Sequence, residues 1–291
     1  GGLRIMLYTP EGLGKTTWAA AAPRPIFIAP ERGFPRGVSV PVFPTPRSWA
    51  EVGEAVGVLM KEPHDYQTLV IDTIDWLITL LYDAVVANEK SSGRANRSGD
   101  VSDVEDMDFG KGYERAAQWL LRFLRVQVDA LIYRRKMNVI FLAHSQVKTF
   151  KNPEGPDYDR YSPKLNERVG AVLQEWVDVL LFGNYRPSRV VARSRNLDRA
   201  ALEKGKLALG MNEQDSIRVV YTQRRASFNA KNRHNLPFEM PLDFASFAAA
   251  VNLGNPEILA RIERMRAAVL EQTANIEDVE LRARIDAYVN E

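Results

Sequence analysis

Thr9-Pro10-Glu11-Gly12-Leu13-Gly14-Lys15-Thr16 stands between an apolar run, Leu3 to Tyr8, and a segment with a helical pattern that begins near Lys15 and stops before Pro23. Strand, glycine-containing turn and helix form the context in which this octapeptide acquires a chemical meaning. Gly12 and Gly14 let backbone amides curl around phosphate oxygens, and the start of the helix adds its positive dipole. Lys15 reaches the terminal phosphates of a triphosphate and the Thr16 hydroxyl suits magnesium. Pro10, Glu11, Gly12, Leu13, Gly14, Lys15, Thr16 and Thr17 are therefore the expected nucleotide-binding residues, with ATP and Mg2+ as the ligands. Thr9 stands where such loops usually carry glycine, so the match rests on Gly14-Lys15-Thr16-Thr17 after a strand.

Working outward, Pro25 to Ile28 reads as a second strand ending at Ala29-Pro30-Glu31, and Val38 to Phe43 as a further extended piece. Ser48 and Glu51 have the spacing of a capping box for a helix to about Lys61, with Val52, Val56 and Leu59 on its buried face. Thr68-Leu69-Val70-Ile71-Asp72 is an apolar run closed by an acid, the pattern of a central parallel strand, and a helix is expected from Asp75 to about Asn88. Ser91 to Gly112 reads as a long polar loop and Tyr113 to about Arg135 as a long amphipathic helix. Asn138 to Ala143 is another buried strand, Lys148 to Pro163 a second polar loop, and a helix to Trp176 precedes a strand at Val177 to Phe182. Ile217 to Thr222 and Ala226 to Ala230 are expected to pair as an antiparallel hairpin, and Asn255 to Glu291 to form one or two helices.

Strands alternating with helices imply an α/β fold, a mostly parallel sheet covered on both faces. Ligands of such sheets bind at the carboxyl ends of the strands, where Lys15, Glu31 and Asp72 all fall. Two units are expected: a core over residues 1–250 and a short C-terminal helical appendage over 251–291. Forty-five percent hydrophobic and 26% charged residues suffice for one substantial core, and the longest apolar run, near Trp76 to Ala87, is interrupted by Thr79, Tyr82 and Asp83. The absence of cysteine excludes disulfides and thiolate metal sites, and the start of the chain lacks the pattern of a secretory signal; a cytoplasmic location is expected. Net charge is only +2, but residues 186–233 carry twelve Lys/Arg against four Asp/Glu, whereas Asp100 to Asp108 holds five acids in nine positions.

Asp72 has the place of the acid that holds magnesium in phosphate-loop enzymes; a helix cap is its other reading. Glu31 has the place of a general base that orients the attacking water; a surface turn residue beside Pro30 is its other reading.

Taken in order, these motifs resemble the RecA-like P-loop ATPases, particularly the phage-type single-strand annealing and recombination ATPases that keep little beyond the RecA core. Ile26-Phe27-Ile28-Ala29-Pro30-Glu31 resembles the segment whose glutamate activates water, and Leu69-Val70-Ile71-Asp72-Thr73 the strand of the magnesium acid. Val139 to Gln146 is similar to the strand whose terminal side chain senses the third phosphate, which would be His144 here. Ala230-Lys231-Asn232-Arg233 resembles a Lys-Asn-Arg motif in which cations act across a subunit boundary. The resemblance implies catalytic roles for Lys15, Glu31, His144, Lys231 and Arg233, and magnesium ligation by Thr16 and Asp72. It also implies a homo-oligomer, ring or filament, although the first strand begins at once and no N-terminal polymerisation element is expected before it.

Single-stranded DNA is the expected partner, in a phage-infected or prophage-carrying cell. Lys148, Phe150, Lys151, Tyr158, Arg160 and Tyr161 combine cations for backbone phosphate with rings that stack on bases, while the acidic Asp100 to Asp108 would repel a strand. A buried strand-end histidine for His144, and solvation or DNA phosphate contact for Lys231 and Arg233, are the competing readings. At the level of the whole chain, the alternatives are a P-loop phosphotransferase closing a basic lid from residues 186–206 over a small molecule, or a non-hydrolysing nucleotide-switched binding module.

Overall fold

The computed structural model describes residues 2–31, 33–92, 101–107, 110–186 and 217–253, together with Arg264. In chain order the elements are β1 (Arg4–Thr9), α1 (Lys15–Ala20), β2 (Pro25–Ile28), α2 (Trp49–Lys61), β3 (Thr68–Asp72), α3 (Ile74–Ser91), α4 (Lys111–Phe123) and α5 (Asp129–Arg134). They continue with β4 (Asn138–Phe150), β5 (Tyr158–Pro163), α6 (Glu167–Trp176), β6 (Val179–Tyr185), β7 (Arg218–Tyr221), β8 (Lys231–Asn232), β9 (Glu239–Pro241) and α7 (Phe244–Leu253). Among the described residues the strands form one mixed sheet in the order β2-β3-β4-β1-β6-β7-β9, with β5 paired to β4 and β8 to β6. The pairings from β2 through β6 are parallel and those of β5, β7, β8 and β9 are antiparallel. The expected α/β core, mostly parallel and flanked by helices, is present.

Alternation along β1 shows how the sheet is sandwiched. Ile5 and Leu7 pack in a layer with Trp18 of α1 and Phe244 and Phe247 of α7. Met6 and Tyr8 face the opposite layer, built by α2 to α6. Because both faces are covered, the central strands are apolar throughout: every residue of Leu69 to Ile71 and of Val139 to Ala143 is buried. The helix after Ser48 begins with half of the expected capping box: Glu51 N–H donates to Ser48 Oγ at 3.3 Å, while the Glu51 carboxylate accepts at 2.8 Å from the N–H of Arg47, one residue before the cap. Val42 makes an isolated parallel bridge to Phe27, which accounts for the extended piece before it.

Three expectations change. Lys148 to Pro163 is no polar loop: β4 runs on past Ala143 to Phe150 and pairs with β5, Val147 opposite Tyr161 and Phe150 opposite Tyr158. Val147, Thr149, Phe150, Tyr158 and Tyr161 favour extended backbone, and Asn152-Pro153-Glu154-Gly155 makes the turn, so the segment is a β-hairpin. The described part of Ser91 to Gly112 is not a free loop either. Asp103 and Asp106 cap a short 3-10 turn, Val104–Asp106, while Val101, Val104 and Met107 are buried in the larger core layer. The five acids thus include a structural capping pair.

Ala226 to Ala230 does not pair with β7, whose partners are β6 and β9. It crosses the base of the β4–β5 hairpin instead, with Tyr161 N–H donating to Ser227 O at 2.8 Å and Asn229 N–H donating to Tyr161 O at 3.2 Å. The rings of α7 pack on Trp18 at 4.9 and 5.4 Å between centroids. The expected appendage, 251–291, lies outside the described residues beyond 253 except at Arg264. Among the described residues, no helix is long and apolar enough to cross a membrane.

Candidate nucleotide site

Register brings the chemical residues to one end of the sheet. Thr9 closes β1 opposite His144 of β4, and Asp72 closes β3 opposite Leu142, so the phosphate-loop segment, His144 and Asp72 emerge together at the carboxyl ends. Glu31 follows the end of β2 on the same rim. The loop between β1 and α1 needs its glycines: φ is +73° at Gly12 and +105° at Gly14, conformations that residues with a Cβ rarely adopt.

Two hydrogen-bonded chains organise the cleft. In the first, the Lys15 ammonium lies 2.9 Å from His144 Nε2, and His144 Nδ1 lies 2.7 Å from Asp75 Oδ2. An ammonium only donates, so Nε2 accepts and the ring proton sits on Nδ1, donated to Asp75. Asp75 Oδ1 also accepts the His144 backbone N–H at 3.1 Å, so one carboxylate fixes both the position and the tautomer of the ring. In the second, Thr16 Oγ1 donates to Asp72 Oδ2 at 2.7 Å. A cleft of about 350 Å³ is lined by Lys15, Thr16, Glu31 and Asp72 together with Phe34 and Pro35.

Electrostatics separate the three acids. Burial pushes Asp72 above the usual carboxylate range, against the opposing pull of the Thr16 hydroxyl and Lys15. Burial likewise raises Glu31, countered by His144 and Lys15. Burial acts upward on Asp75 too, but its hydrogen bonds from His144 outweigh it and hold the carboxyl below its ordinary value. A raised glutamate facing a polar cleft has the property of a general base, and a buried ionised aspartate that of an anchor.

The donor set fits magnesium. Thr16 Oγ1 and Asp72 Oδ2 are adjacent hard oxygens, and an ion of this kind takes its remaining ligands from phosphates and water. Among the described residues no cluster of three or more His, Cys, Asp or Glu could cage a metal on its own. Thr16 and Asp72 would hold the ion, whose contribution is to neutralise charge on the phosphate oxygens.

The remaining candidates lie elsewhere. On the β4–β5 hairpin, residues alternate between faces, so Lys148, Phe150, Tyr158 and Arg160 share one side. The Arg160 guanidinium rests 4.0 Å from the Phe150 ring centroid, and Arg160 Nη2 also bonds the Tyr158 hydroxyl. Lys151 stands at the tip, 87% exposed and paired with Asp157. Between this face and α6 runs a groove of about 620 Å³ that includes Lys148, Phe150, Lys151 and Arg160. Tyr161 faces the opposite way: it is half-buried and stacks on Phe182 at 5.1 Å, in line with Phe228 and Tyr221, so its ring packs against the core.

Lys231 and Arg233 are at the other end of the sheet. Lys231 pairs with Leu180 near the start of β6, and Arg233 N–H donates to Asp178 O. The length of β1, roughly 15 to 20 Å at strand spacing, separates them from the phosphate loop of the same chain. Lys231 Nζ donates at 2.8 Å to the carbonyls of both Gln174 and Glu175 in the last turn of α6, where burial, then Arg233, lowers its pKa. Arg233 is more available: its side chain is 54% exposed, 3.5 Å from Asp178. Of the basic segment 186–233, residues 187–216 lie outside the described residues, including most of the lid that a phosphotransferase would need.

Two contacts escaped the sequence reading. In sequence, Asp75 reads as the start of a helix and as a base to try after Glu31, but nothing in its spacing reveals a histidine 69 positions later. Arg218 Nη1 donates to the carbonyl of Leu13 in the phosphate loop at 3.2 Å, a pairing across 205 positions. Neither leaves a local pattern, although an acid three residues after Asp72 was a visible second carboxylate on the same rim.

The chain matches the AAA domain family over residues 1–234. No curated protein matches. Solved structures do match, among them the crystal structure of the RadB recombinase, at 19% identity over 65% of this chain and 79% of that chain with a TM-score of 0.34.

Proposed function

Because the chain belongs to the AAA domain family, of P-loop ATPases, we propose that its cleft hydrolyses ATP in a RecA-like manner, coupled to single-stranded DNA held on the β4–β5 hairpin. An arriving triphosphate competes with His144 for Lys15, since the ammonium is a far better partner for a polyphosphate than for an imidazole. Lys15 then moves to the terminal phosphates and leaves Nε2 of His144, so that strand β4 registers the move, while Glu31 takes the proton of the attacking water.

The observation that carries this reading is the continuity of one strand. β4 holds His144 against Lys15 of the cleft and reaches Phe150 six residues later, roughly 20 Å away on the hairpin. A change at the third phosphate therefore has a rigid route to the basic, aromatic face, and DNA bound there has the same route back. This supports a protein that grips a single strand in an ATP-dependent way and assists annealing or homologous recombination. Assembly into a ring or filament belongs to the same reading, because Arg233 and Lys231 reach a phosphate loop only when it comes from another copy.

The test is phosphate release with and without single-stranded DNA, run beside a mass measurement of the assembled species. DNA-stimulated release by an oligomer supports the proposal. Phosphate transfer to a small molecule, or tight ATP binding without turnover, would replace it with a phosphotransferase or a nucleotide-switched binding module.

A further inference from the structure

Sheet order divides the surroundings of the phosphate loop into two sides. β4, β3 and β2 lie to one side of β1 and bring His144, Asp72 and, beyond β2, Glu31. β6 and β7 lie to the other. A triphosphate whose terminal end meets the first group has to leave its nucleoside toward the second, because the phosphates pass over the loop between them.

On that second side the register places Tyr185 of β6 directly opposite Arg218 of β7. Both lie on the sheet face that carries α1, since Leu181 and Val220 of the same alternating rows pack with Trp18. Between Leu181 and Tyr185 comes Gly183, where a Cβ would stand 2.8 Å from Thr9 Cγ2 and 3.1 Å from Leu13 Cδ2. Its missing side chain lets the loop seat on β6, so Tyr185 is the first side chain of that row beyond the loop. Arg218 is exposed, yet Nη1 is fixed on the Leu13 carbonyl and lies 2.9 Å from where a Cβ on Gly14 would stand. A guanidinium held by one edge keeps its flat face for a partner, and arginine stacks on aromatic planes better than lysine does.

We propose that Arg218 and Tyr185 form the nucleoside end of the site, with the Arg218 guanidinium flat against the base and the Tyr185 ring bounding it. The inference rests on the nucleotide reading of the phosphate loop and adds to it the residues that distinguish a nucleotide from bare polyphosphate. Arg218 acts here in cis, unlike Lys231 and Arg233.

Binding of magnesium–ATP and of magnesium–tripolyphosphate to the full chain, measured side by side, tests it. Arg218→Ala should weaken ATP by about tenfold, between an exposed and a fully desolvated cation–π contact, and leave tripolyphosphate unchanged. Arg218→Lys should lose as much ATP affinity as Arg218→Ala, because charge without the plane does not stack. Tyr185→Ala should also weaken ATP alone. Equal losses for both ligands would make Arg218 a brace of the loop and overturn the proposal, as would ATP affinity unchanged in Arg218→Ala. Lys15→Ala should lose both ligands; a parent chain that binds neither refutes the phosphate-loop reading and this inference with it.

Discussion

Lys15 Nζ stands 2.9 Å from His144 Nε2, so the cation of the phosphate loop and the strand-end histidine are hydrogen-bonded to each other. The contact fixes the proton on Nδ1, where Asp75 receives it. Asp75→Asn removes the charge and offers an amide that satisfies Nδ1–H and the backbone N–H of His144 less well. Turnover should fall roughly 10- to 100-fold, below the full contribution of a general acid–base group, with the KM for ATP little changed. Steady-state kinetics check this, and an equal rise in KM would assign Asp75 to folding of the rim instead.

The acid side of the pH profile should report Glu31. A base must be ionised to accept a proton, and burial holds this carboxyl above its ordinary value of 4.5. Turnover should therefore drop as pH falls through that raised value, at a higher pH than an exposed glutamate would give. Asp72 is shifted in the same direction, so the profile is taken at saturating magnesium. An acid limb at or below the ordinary glutamate range would contradict the assignment.

The hairpin should carry single-strand affinity in two separable parts. Replacing Lys148, Lys151 and Arg160 by Ala should flatten the dependence of affinity on salt, since fewer counterions are released. Replacing Phe150 and Tyr158 should cost about 1 to 3 kcal/mol per stacked base and leave the slope nearly intact. Tyr161→Ala is expected to behave differently, lowering thermal stability through the lost stack on Phe182 before it touches DNA affinity. Titrations over a salt series and a melting curve separate the three outcomes, and parental binding by both multiple variants would remove DNA from this face.

Completion of the site by a second copy is tested by mixing. Arg233→Ala keeps the phosphate loop, and Lys15→Ala keeps the distant cations, so each alone should be nearly inactive while their mixture recovers part of the activity. Arg233 is the cleaner choice, because Lys231 also caps α6 and its loss should destabilise the chain. No recovery at concentrations where mixed assemblies form would place the site within one copy.

What the sequence made legible, and what it hid, follows from the range of the interactions. The glycine turn is local: two glycines, a lysine and a threonine fall within five positions after a strand, and the strand, turn and helix form as read. The strand-end positions of Asp72 and Glu31 were legible because apolar parallel strands announce their own ends. The hairpin was misread because Lys148, Lys151 and Arg160 make the segment polar, while the alternation that makes it a strand is masked by charges on its exposed face. What anchors it shows only once Tyr161 stacks on Phe182, a contact that no window of sequence contains. The contacts of Asp75 and Arg218 were missed for the same reason, each being defined by a partner 69 or 205 positions away.

The most direct test of the central claim is Glu31→Gln, measured for ATP binding and for ATP hydrolysis in the same preparation. Lys15, Thr16 and Asp72 are untouched, so binding of ATP with magnesium should be retained while hydrolysis falls by roughly 100-fold or more, the usual contribution of a general base. Turnover equal to the parent would contradict the account and put the base elsewhere in the cleft.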